Sequence, residues 1–161
     1  MDYPLPLVTV DAVLLTLRAG GLEIALHQRD RAPYQGAMAL PGGVVHVDED
    51  ASTEASIRRV LRDKTGFGPR YLEQLQVFSG PGRDPRKWSL SVSYVALVPA
   101  VELEAATQAG FRFVSVDALP PLAFDHADIV AAAVARLRGK SSYSTLPFFL
   151  LPERFTLTAL Q

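Results

Sequence analysis

The chain has 161 residues, enough for one domain that buries roughly two thirds of the surface its unfolded form would expose. Sixteen basic side chains stand against seventeen acidic ones and cysteine is absent, which excludes a disulfide scaffold, a thiolate zinc cluster and the overall basic footprint of a nucleic-acid binder. The opening residues carry no basic stretch ahead of an apolar one, and no apolar run approaches the ~18 residues of a membrane span, so the expectation is a cytoplasmic protein with no membrane partner.

From the N-terminus, Leu7 to Leu17 is apolar and β-branched, Gly20-Gly21 signals a turn, and Leu22 to Gln28 returns as a second strand, which predicts a hairpin. After the loop DRAPYQG, Ala39-Leu40 leads into Pro41-Gly42-Gly43, and Val44 to Val47 resumes an extended run. From about Ala51 to Lys64 the spacing turns helical: Ile57, Val60 and Leu61 form one stripe, and Glu54, Arg58 and Arg62 lie opposite. Gly66 is placed to close that helix in a left-handed cap. Tyr71 to Phe78 reads as a strand and SGPGRDPRK as a loop. Trp88 to Val98 then alternates, with Trp88, Leu90, Val92 and Tyr94 on one face and Ser89, Ser91 and Ser93 on the other. Phe111 to Val116 is a last short strand. A second helix runs from about His126 to Arg138, with Val130, Ala133, Val134 and Leu137 as its apolar stripe, and Asp125, Asp128, Arg136 and Arg138 placed to suit its dipole. Strands that outnumber and interleave with helices give an α/β class with a mixed sheet.

From Ser141 onward the composition changes. The segment LPFFLLPERFTLTALQ reads as an extended stretch that docks on something, after which Thr156 stands as a helix N-cap with Phe155 and Leu160 spaced as a hydrophobic staple. One turn is too short to persist alone in water. The division expected is therefore a domain over 1–140, then a docked linker and the first helical turn of a further domain over 141–161; a frayed terminus packed on the first domain is the other reading.

The central stretch GAMALPGGVVHVDEDASTEASIRRVLRDKTGF resembles the Nudix hydrolase signature, G-x5-E-x7-R-E-U-x-E-E-x-G-U with U a bulky aliphatic residue. Gly36, Leu40, Pro41, Gly42 and Gly43 match the approach, and Glu49 stands at the first glutamate. Arg59, Leu61, Gly66 and Phe67 match the closing half. Nine residues rather than seven separate Glu49 from Arg59, an insertion of two. The resemblance implies a Nudix fold, a mixed β-sheet sandwiched between helices. In that family three glutamates of the helix gather divalent cations at a pyrophosphate; here Val60, Asp63 and Lys64 stand in their places. Magnesium needs oxygen ligands. An ammonium about 4 Å from a unit positive charge is repelled by roughly 4 kcal/mol at an effective dielectric near 20, and a dication doubles this. The same ammonium supplies charge to a diphosphate without a metal.

The chain is also similar to the Nudix-related transcriptional regulators of NAD metabolism, through YLEQLQVFSGPGRDPRKWSLSVSYVALVP, the insertion before the helix, the RDKTG ending and the tail. That resemblance implies a sensor for ADP-ribose or a related NAD-derived nucleoside diphosphate, a homodimer, and DNA contact only through a C-terminal winged-helix domain. The ligand-binding candidates are Arg29, Gly42, Gly43, Lys64, Arg83 and Arg86. Arg29 either faces the ligand or is a solvated strand end; Arg83 and Arg86 either clamp phosphate bidentately or belong to a solvated loop. Arg59 is expected to pair with Asp63 four residues on, and with Gly66 to serve structure rather than ligand. His46 either reaches a ligand or is a surface group, and His27 and His126 show no partner pattern. No cofactor is required on this reading. The alternative is an active magnesium-dependent pyrophosphohydrolase in which Asp63 and Glu49 hold metal and carry catalysis, aided by Asp48, Asp50 or Glu73. A third reading is an interaction module with a vestigial pocket.

Overall fold

The computed structural model describes residues 2–18, 20–66 and 68–140. The expected docked linker, the Thr156 cap and the Phe67 match all lie outside the described residues. Eleven elements follow in order: β1 (Leu7–Arg18), β2 (Gly21–Gln28), β3 (Met38–Ala39), β4 (Gly42–Val44), α1 (Thr53–Thr65), β5 (Tyr71–Gly80), β6 (Ser89–Leu97), a 3-10 turn (Ala100–Glu102), α2 (Glu104–Gln108), β7 (Arg112–Ser115) and α3 (His126–Lys140). The strands form a seven-stranded sheet of order β3-β2-β1-β6-β5, with β4 paired to β1 and β7 to β2. β1 and β6 are parallel, from Leu7 opposite Ser89 to Leu15 opposite Leu97, and the other pairs are antiparallel, so the sheet is mixed as expected.

β1 reads as a continuous apolar run because both its faces are covered. Val13 and Leu15 join Ile24, Leu26, Val95, Leu97 and the α3 stripe of Ile129, Val130, Ala133, Val134 and Leu137 in one core. Val10, Ala12 and Leu14 join Ala25, Val92, Tyr94 and Ala96 with Ile57, Val60 and Leu61 of α1 in the other. The sheet is thus sandwiched between α1 and α3. Ser52 caps α1, its hydroxyl accepting the Ala55 amide at 3.0 Å, and Gly66 closes it at φ 83°.

One local expectation is corrected. The extended run after the glycines is Gly42–Val44 rather than Val44 to Val47: the Glu49 and Asp50 amides both donate to the His46 carbonyl, so the inserted residues form a turn that leaves Val47 exposed. On β6, Ser89, Ser91 and Ser93 share the face opposite Leu90, Val92 and Tyr94, and all three are fully buried. The short α2 carries no sequence signal comparable to that of α1 or α3.

Candidate functional site

On the α3 side of the sheet, β1 and β6 change character along their length. Asp11 precedes Val13 and Leu15, and Ser89, Ser91 and Ser93 precede Val95 and Leu97, so one end of the same face is polar and the other feeds the core. A cavity of about 260 Å³ opens at the polar end.

Its floor is a buried network. Ser91 donates to Oδ2 of Asp11 at 2.6 Å, and Nε2 of His126 lies 3.4 Å from Oδ1. The Leu40 amide donates to Nδ1 of His126 at 3.1 Å, so the ring proton sits on Nε2, aimed at Asp11. Burial pushes the Asp11 carboxyl up, but the His126 ring, the Ser91 hydroxyl and the nearby Arg83 guanidinium together hold it below the ordinary carboxylate range. His126 therefore has partners on both nitrogens, contrary to the expectation from sequence. A carboxylate inside an apolar run buried on both faces was the available signal for Asp11. The register that brings it to His126 had none.

One wall is the glycine turn. A Cβ on Gly42 would fall on the Asp11 carboxylate and 2.7 Å from the Val10 carbonyl, so this strand lies against β1 only because the residue is glycine. A Cβ on Gly43 would meet a Val60 methyl at 3.1 Å. Lys64, in the last turn of α1, donates to the Gly42 carbonyl. Desolvation lowers its ammonium below the ordinary lysine range; Asp11 opposes this, and Arg29 and Arg31 add to it.

The opposite wall is cationic and aromatic. Arg29 donates to the Pro33 carbonyl at 2.7 Å, and its guanidinium lies 4.9 Å from the Phe124 ring centroid; Arg86 lies 5.9 Å from the same ring. Burial and then the charge of Arg86 depress the Arg29 pKa, the mark of like charges gathered without enough counter-charge between them. Phe124 and Tyr34 adopt φ of 53° and 59° and meet edge to face at 4.8 Å on this wall. Arg86 is bidentate to the buried Asp84, yet its own side chain is 45 % exposed. Arg83 is only 7 % exposed: it grips Asp125 at 3.0 and 2.8 Å and donates to Ser89 at 2.9 Å.

All six ligand-binding candidates, Arg29, Gly42, Gly43, Lys64, Arg83 and Arg86, line this cavity. Arg83 does so with three donors already engaged, as a brace between β6 and the start of α3. Glu49 and Asp63 are not among the lining residues; Glu49 pairs with His46 in an exposed turn at 3.4 Å, which places His46 at the surface. Arg59 pairs with Asp50, not Asp63, at 2.8 and 2.9 Å, because the inserted turn carries Asp50 back over the helix. That ion pair holds the Asp50 carboxyl well below its usual range. Among the described residues no group of three His, Cys, Asp or Glu side chains converges as metal ligands. Apolar Val60 and cationic Lys64 do not fit a magnesium ion.

Comparison with known proteins then bears on the chemistry. The family model described as NUDIX domain matches residues 6–133. The chain is 42 % identical over 164 residues to the ADPR responsive transcriptional repressor NtrR of Acinetobacter baylyi, covering 99 % of this chain and 66 % of that protein. It spans just under two thirds of that relative. It is 35 % identical over 129 residues to the ADP-ribose pyrophosphatase of Methanocaldococcus jannaschii, covering 80 % of this chain and 73 % of the other. The crystal structure of Shewanella oneidensis NrtR superimposes with TM-score 0.90 at 38 % identity, over 96 % of this chain and 74 % of that one. The NUDIX domain of that protein in complex with ADP ribose superimposes with TM-score 0.74 at 34 % identity, over 84 % and 90 %.

Proposed function

The chain belongs to the NUDIX domain family, and from that premise we propose that it is a cytoplasmic sensor domain that binds ADP-ribose, or a related NAD-derived nucleoside diphosphate, as the effector part of a transcriptional regulator. The observation that carries the reading is Lys64. It holds a position where the family signature has a metal-binding glutamate, and its ammonium stands in a cavity with Arg29, Arg86 and the Gly42-Gly43 backbone. These groups supply positive charge and close backbone approach to a diphosphate with no metal step. The names of the Acinetobacter and Shewanella relatives support both the ligand and the regulatory role.

DNA contact, on this reading, belongs to a C-terminal winged-helix domain, and the working unit is a homodimer. Light scattering on the purified chain at micromolar concentration tests the second point, with a single protomer mass counting against it. The pyrophosphatase relative favours the enzymatic alternative, in which magnesium would be recruited by Asp63 and Glu49. Calorimetry with ADP-ribose in chelator and in magnesium, with products followed by chromatography, separates the two. Binding in chelator without turnover supports the sensor. Magnesium-dependent, multiple-turnover release of AMP and ribose phosphate would establish the enzyme instead.

A further inference from the structure

Beyond the diphosphate cavity, we propose a second anion site on the far side of Lys64, shaped to seat a phosphomonoester dianion. A cavity of about 480 Å³ lies between the end of β2, the last turn of α1 and the turn that leads from α2 into β7. It shares His27, Asp30, Arg31 and Lys64 with the first cavity, so Lys64 forms part of the boundary between two compartments. Three cations, Arg31, Lys64 and Arg112, face it against one carboxylate, Asp30. That carboxylate is 3.6 Å from Arg31 with both side chains more than four-fifths exposed, so it neutralises little. Arg112 is exposed, and no described side chain is paired with it, while its backbone is fixed opposite Leu26 in the sheet.

The back of the compartment is rigid and carries no competing charge. Phe111 is buried and meets the His27 ring edge-on at 5.3 Å. Nε2 of His27 donates to the Leu40 carbonyl at 3.3 Å, and desolvation together with the Lys64 charge keeps its pKa below the ordinary histidine value. The front is open, since a Cβ on Gly110 would meet no atom within 4 Å. Two guanidinium forks and an ammonium around an open, polar cavity match the three oxygens of a phosphomonoester, which arginine binds bidentately and lysine as a point charge. The dianion has two possible sources: free phosphate, held beside the main ligand, or a third phosphate carried on the nucleotide itself.

Backbone-amide NMR on the 161-residue chain tests this with inorganic phosphate alone, with phosphate added to protein saturated by ADP-ribose, and with ADP-ribose 2′-phosphate. The expected result is a saturable shift of the Ala109 to Arg112 amides in a phosphate-bearing arm, beyond any caused by ADP-ribose. Arg112→Gln should weaken it about ten-fold while leaving ADP-ribose affinity unchanged. A shift with inorganic phosphate assigns the free ion as source; a shift with the 2′-phosphate alone assigns the carried group. The proposal is overturned by no saturable shift there in any arm, by an equal shift in Arg112→Gln, or by ADP-ribose alone producing the full effect. Failure of ADP-ribose to bind would remove the sensor reading, while the arms with inorganic phosphate and with the 2′-phosphate would together still decide this one.

Discussion

At the scale of single residues, Asp11 and Gly42 decide whether the cavity exists. Asp11→Asn keeps the shape but loses the anion that Ser91 and His126 address, and is expected to cost about 2 kcal/mol at neutral pH, read from urea denaturation. Because the folded carboxyl lies below its ordinary value of 3.8, its contribution is fully present above that pH and is lost as the pH falls through the depressed folded value. The difference between wild type and Asp11→Asn should therefore shrink below about pH 4. Gly42→Ala places a methyl group against the Asp11 carboxylate and the Val10 carbonyl, and should destabilise by about 2 kcal/mol or more, measured as a lowered Tm. Lys64→Glu should weaken ADP-ribose binding in chelator by about ten-fold or more, and calorimetry giving unchanged affinity would make Lys64 a bystander. The glycines and Lys64 were legible in sequence because they sit in a motif with fixed spacing. Asp11, Asp84, Phe124 and His126 were not, because residues as far apart in the chain as Asp11 and His126 meet only in the finished fold.

At the scale of elements, the useful feature is a strand face that changes from polar to apolar partway along. Period-two alternation reveals which residues of β6 share a face, but says nothing about what covers it. The three serines share one face by period alone, yet all are fully buried, and Ser91 holds the Asp11 carboxylate from beneath the cavity. Arg83 ties that floor to α3 by gripping Asp125 just ahead of its first turn. Arg83→Ala leaves Asp125 unpaired and should cost about 3 kcal/mol. Native-state hydrogen exchange should show faster exchange in the first turn of α3 than in α1; uniform exchange would mean that the pair is not a local brace. The helix α1 was legible to within two residues because its cap, stripe and closing glycine agree. The glycine strand was displaced because a two-residue insertion folds into a turn that periodicity cannot see. The Arg59 pairing followed the insertion rather than the helical spacing.

At the scale of the whole molecule, the mixed sheet between two helices was readable from interleaved periods and from the motif, whereas the strand order was not, since nothing local announces that β1 lies parallel to β6. Those two strands meet across a separation of about eighty residues. During synthesis β1 emerges first and can pair with β2, but its other edge waits for β6 to be made, and non-local parallel pairing is intrinsically slow. Through that interval a run of apolar and β-branched residues stands open to other chains, the kind of segment that nucleates aggregation. Asp11 is the one charge between Leu7 and Leu17, so it interrupts that hazard as a gatekeeper before it ever meets His126. Asp11→Asn is accordingly expected to lower soluble recovery on refolding by dilution more than Gly42→Ala does at matched stability. Equal recovery would confine the role of this carboxylate to the finished fold.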